Sequence, residues 1–192
     1  MTNALRGIVL TVFFGWLTLG ISLLSASEGT SVKQYYASPK TTIEEINKRG
    51  ARGIVAELYS HPNEWNAVLR NIASGDKSWL RVAVALHPGS DAGSSEMLTN
   101  SVGKALENAP ENVFKIASKE FQLSSICGAP DLDDDRYNSY TLAINAIDLR
   151  QNKISTIANP ELSKLGKKCI QLLEASKADV KSFYDAKTGM QK

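Results

Sequence analysis

The sequence predicts an all-α fold, a compact array of about six or seven helices, and three observations carry that prediction. Apolar residues recur at i, i+3, i+4 and i+7 along most of the chain, which makes one stripe on a helix of 3.6 residues per turn. The pattern is stated twice in succession: Trp65, Val68, Leu69 and Ile72 precede Gly75, and fourteen positions on, Trp79, Val82, Ala83 and Leu86 precede Gly89. No stretch alternates apolar and polar residues with the period of two that a half-buried strand requires.

Arg6 is the only charge before Glu28, and the run from Gly7 to Leu24 is uncharged and mostly apolar, ending at Ser25, Ala26 and Ser27. A basic start, an apolar middle and small residues near a cut describe a signal peptide over 1–27, with cleavage expected after Ser27. The competing reading is an uncleaved anchor, since the 18-residue run approaches the roughly 20 residues of a membrane span. Either way the body of the protein is expected in the periplasm, and cleavage would leave no stable membrane anchor. Removing residues 1–27 takes away Arg6 alone among the charged side chains, leaving 21 basic against 20 acidic residues. That near-balance gives no electrostatic footprint for nucleic acid or an anionic membrane. The 43% hydrophobic and 22% charged fractions argue against disorder and against a multi-span membrane protein, and 192 residues suit one domain.

Residues 28–40 hold no sustained period and read as a flexible lead-in to a single helical domain over 41–185. Thr41 and Thr42 with Glu44 and Glu45 offer a capping box, and Ile43, Ile46, Ile54, Val55 and Leu58 mark the buried side of one helix running to Tyr59. Gly50 and Gly53 fall inside that helix, where close approach of a neighbour would explain them. His61-Pro62 ends it. Asn63 and Asp76 are the expected caps of the two tryptophan helices, and Gly75 and Gly89 their left-handed closures.

After the loop His87–Gly93, a helix carries Leu98, Val102, Ala105 and Leu106, and Pro110 opens another that buries Val113, Phe114, Ala117 and Phe121. Gly128-Ala129-Pro130 then turns the chain into an acidic loop, Asp131–Arg136. Tyr137, Tyr140, Ile144, Ile147 and Ile154 fit one long helix. Pro160 restarts the chain as a final helix with Leu162, Leu165, Cys169, Leu172, Ser176 and Phe183 on one face, and 186–192 reads as a frayed tail. Short turns suggest HEAT-like antiparallel helix pairing, although fourteen residues is too short a period for a two-helix solenoid repeat.

The two cysteines, Cys127 and Cys169, both fall in the exported part. An even count in an oxidising compartment favours a disulfide; two inert buried thiols or a nucleophile are the alternatives, and no CxxC spacing is present.

No catalytic or cofactor motif occurs, so no cofactor and no enzymatic activity are expected. His61 and His87 are 26 residues apart and lack the spacing of zinc ligands. His87, Ser90 and Asp91 supply the residue types of a hydrolase triad, but there is no G-x-S-x-G elbow, and Ser90 or Asp91 suits the cap of the next helix better. Asp131, Asp133 and Asp135 match the first three ligand positions of a calcium loop, which then needs glycine and glutamate where this chain has Arg136 and Leu142. A solvated or partner-contacting loop is the favoured reading. Trp65 and Trp79, at helical spacing, read as core rather than as a ligand pocket.

The tryptophan-headed helices, the turn Leu86 to Ala92, the run Ala105 to Pro110, and a cysteine before Gly-Ala-Pro paired with a late helical cysteine together resemble small periplasmic helical proteins. Among these the chain is most similar to the immunity proteins that neutralise peptidoglycan-amidase effectors of type VI secretion. The resemblance spans about residues 41–175 at the level of architecture and implies a non-enzymatic mechanism. A rigid scaffold would hold a loop in the effector's active site, the candidates being the His87 turn (His87, Ser90, Asp91) and the acidic loop (Asp131, Asp133, Asp134, Asp135, Arg136). A periplasmic helical adaptor or chaperone-like protein with another partner is the alternative, then a hydrolase using His87; a second copy of the chain is a further candidate partner.

Overall fold

A computed structural model describes residues 36–189, and the signal-peptide reading of 1–27 lies outside them. The described chain is all-helical and without strands: α1 (Pro39–Arg49), α2 (Ala51–Tyr59), α3 (Pro62–Ala73), α4 (Lys77–Leu86), α5 (Ala92–Ala105), α6 (Pro110–Ile116), α7 (Leu123–Ile126), α8 (Tyr140–Ser155) and α9 (Pro160–Gly189). One-turn 3-10 helices stand at His87–Gly89 and Asp135–Tyr137. Among the described residues there are nine α-helices rather than six or seven, the result of a break and an added turn.

The break is at Gly50, whose φ of 80° ends α1 and begins α2, so the single helix expected through Tyr59 is two. A Cβ added at Gly50 or Gly53 would meet nothing within 4 Å, and close approach of a neighbour does not account for either. Gly50 is there for its left-handed backbone. The start of α1 also lies earlier than the threonine capping box. Ser38 is the cap, its hydroxyl accepting the Thr41 N–H, and the Thr41 and Thr42 hydroxyls donate back to the Ser38 carbonyl. Tyr36, within the expected lead-in, is buried.

Asp76 caps α4 as its sequence position suggests, accepting from the N–H groups of Ser78 and Trp79. Asn63 does not cap α3: Pro62 occupies the first turn and His61 precedes it. Gly75 closes α3 with φ 78°. Gly89 has a different role, because its φ is not positive and its α-hydrogen faces the start of α2, where an added Cβ would come within 2.3 Å of the Ala51 carbonyl carbon and the Arg52 nitrogen.

The core is built around α3, α4 and α5, where Trp65, Ile72, Leu80, Leu86 and Leu98 are almost fully buried. Trp65 donates its indole N–H to the Met97 sulfur, and Asn108 donates to the Ala73 carbonyl, so α3 and α5 run in the same direction side by side. At the other end, α8 and α9 form an antiparallel hairpin, tied by Gln151 to the Ile170 carbonyl and by Lys177 to Asp148. The buried stripe of α9 is Leu162, Gly166, Cys169, Leu173, Ser176 and Val180: Leu162, Cys169 and Ser176 lie on it as expected, while Leu165, Leu172 and Phe183 are half-buried at its edge, a partial rotation. Gly166 permits the rotation by lying against the Ile154 side chain, at 2.9 Å for an added Cβ. Cys127, just after α7, and Cys169 on α9 form a disulfide that joins the middle of the chain to its last helix.

Candidate functional site

The structure places the two candidate loops differently. At the His87 turn, the imidazole lies against the Phe121 ring, centroids 4.3 Å apart, and its Nδ1 is 3.1 Å from a Glu120 carboxylate oxygen. The Ser90 hydroxyl donates to the His87 carbonyl at 2.7 Å. Asp91 caps α5 through a reciprocal pair with Ser94: the Ser94 hydroxyl donates to its carboxylate at 2.6 Å and accepts the Asp91 N–H at 2.9 Å. These bonds from Ser94 hold the Asp91 carboxyl below its usual value. The three residues therefore make no Ser-His-Asp relay, because the carboxylate facing His87 is Glu120 and the serine hydroxyl bonds a carbonyl. The capping role expected for Asp91 is the one observed.

The acidic loop caps itself. Asp131 accepts the Asp133 N–H at 3.2 Å, and Asp134 accepts the Arg136 N–H while its two oxygens face the Arg136 guanidinium. The next residue, Tyr137, is buried and its carbonyl accepts from the Tyr184 hydroxyl on α9. Burial, then the nearby Glu107 carboxylate, raises the Tyr137 phenol above its usual pKa. Asp133 and Asp135 are exposed, and their carboxylates bond no described residue. Among the described residues no three histidine, cysteine or acidic side chains gather as metal ligands.

Beside this loop lies a cleft of about 560 Å³ between α3 and α5. Asp131, Asp134, Arg136 and Tyr137 form one rim, while none of His87, Ser90 and Asp91 reaches it. Arg150 of α8 also lines it and is 3% exposed. Its Nε and Nη2 both donate to one Glu107 oxygen, at 3.0 and 2.9 Å, and Nη1 reaches the Gly128 carbonyl at 3.5 Å. One buried guanidinium thus joins α8 to the residues after α5 and to the turn that carries the disulfide.

Arg150, Glu107 and the cleft residues Arg70 and Lys104 were not among the sequence-predicted site residues. Arg150 alone left a trace in the sequence, as a charge in the stripe Ala143, Ile147, Ile154 that is otherwise apolar. Among the described residues no helix is long and apolar enough to cross a membrane; the run 7–24 lies outside them. The chain matches no protein-family model, and comparison with curated proteins and with solved structures returns no match.

Proposed function

We propose that the protein is an exported, non-enzymatic protein-binding module, a periplasmic immunity protein that blocks a cell-wall-degrading effector by inserting a loop into its active site. A secreted peptidoglycan amidase is the first candidate partner. The observation that carries this reading is the acidic loop: it is held by its own caps, by the Tyr184 bond and by a disulfide beginning four residues before it, yet it presents two unpaired carboxylates to solvent. A loop fixed before binding loses less entropy on docking, and exposed like charges speed encounter with a basic surface. The helix pairing is read as HEAT-like, with the α8–α9 hairpin as its clearest pair, a stiff support for such a loop.

The loop is tested by Asp133→Asn with Asp135→Asn, which leaves the Asp131 and Asp134 caps in place. Affinity for the partner is expected to fall by about ten-fold or more at low salt, with a flatter dependence on ionic strength. Unchanged affinity at low salt would show that the loop takes no part in binding.

A further inference from the structure

The cleft between α3 and α5 holds two cations that no described carboxylate pairs. Of its four cations, Arg136 is paired with Asp134 and Arg150 with Glu107. Arg70, in the last turn of α3, and Lys104, in the last turn of α5, form no ion pair with a described residue. The carbonyl ends of the two helices favour cations there without matching the geometry of an anion. Arg150 adds a buried guanidinium that spends two donors on a single Glu107 oxygen and a third on the Gly128 carbonyl, which leaves two of the five it carries. On the cleft wall, the Asn66 and Asn100 carboxamides bond no described residue, and the half-buried Met97 supplies apolar surface.

We propose that this cleft is a binding site for an extended peptide with a free carboxylate, which sits against Arg70 and Lys104 while the peptide amides meet Asn66 and Asn100. Charge-assisted bonds to a carboxylate are stronger than neutral ones, and a carboxamide matches a peptide group in offering one donor and one acceptor side. The volume falls within the range of small-ligand sites, about 300–1,000 Å³. Asp131 on the rim, outside any ion pair with a described residue, disfavours ligands with several negative charges, which selects a single carboxylate over polyphosphate or nucleic acid. The groups that would hold the peptide, Arg70, Lys104, Asn66 and Asn100, take no part in the inhibitor reading, so either can fail alone.

The test titrates the purified, disulfide-intact protein with acetyl-trialanine bearing a free C-terminus, with its C-terminal amide, and with acetyl-Ala-Glu-Ala-amide, followed by calorimetry and amide NMR shifts. The free acid is expected to bind with Kd of about 1 mM or tighter, and the amide at least about ten-fold more weakly. Shifts should gather at Arg70, Asn100 and Lys104. Binding of the glutamate peptide assigns the site to acidic side chains as well as C-termini. Arg70→Gln, Lys104→Gln and the double variant should lower acid binding toward the amide level, whereas a role confined to helix ends would leave it unmoved. Equal binding of acid and amide, no binding at about 10 mM, or wild-type binding by the folded variants overturns the proposal.

Discussion

Tyr36 shows what one side chain does in this molecule. Its ring is buried at 4% exposure, and its hydroxyl finds no hydrogen-bond partner among the described residues. Burial first, and then the negative Glu57, pushes the phenol up to about 12. A raised phenol pKa means the folded state keeps its proton longer than the unfolded chain, so the contribution to stability is present below the unfolded value of about 10 and is lost as pH rises through about 12. Denaturation midpoints of wild type should therefore fall more steeply over that window than those of Tyr36→Phe. At neutral pH the same variant should be neutral or more stable by up to about 1 kcal/mol, since it removes an unmatched polar group. Two glycines make a contrasting pair. Gly89→Ala places a methyl into the backbone of α2 and should cost about 1–3 kcal/mol or more. Gly53→Ala meets nothing within 4 Å on a helix and should add about 0.5–1 kcal/mol.

At the scale of elements, the links between helices carry the sharper expectations. The disulfide closes a 42-residue separation, so replacing both cysteines by alanine should lower stability by about 2–4 kcal/mol in chemical denaturation. Arg150→Met strips Glu107 of its counterion in a mostly buried place and should cost about 3 kcal/mol. Adding Glu107→Gln should recover part of that loss, and a double-mutant cycle reads the coupling directly. How much of this was legible in the sequence follows from what an apolar pattern can see. Asp76, Gly75 and the stripes of α3 and α4 could be read because each shows a strong local preference. The break at Gly50 could not, because the apolar period runs through it unchanged and only the backbone angle distinguishes it from Gly53. The stripe of α9 was read correctly at Leu162, Cys169 and Ser176 but not between them, because the helix also packs through Gly166, a residue without an apolar side chain to mark it. Of the candidate site, the acidic loop could be seen as a run of like charge. The cleft could not, since Arg70, Lys104, Asp131 and Arg150 come from four segments that only tertiary packing brings together.

At the scale of the whole molecule, a helical scaffold fixes a short acidic loop that faces outward beside a charged cleft. We propose that this scaffold binds one protein and silences it. The most direct measurement captures partners of the disulfide-intact protein from periplasmic extract and from candidate secreted toxins, identifies them by mass spectrometry, and assays the complex for peptidoglycan hydrolysis. One tight partner is expected, whose hydrolysis is suppressed at equimolar ratio and returns when Asp133 and Asp135 are replaced by asparagine. A partner that hydrolyses peptidoglycan equally well in the complex, or no partner under these conditions, would contradict the proposal.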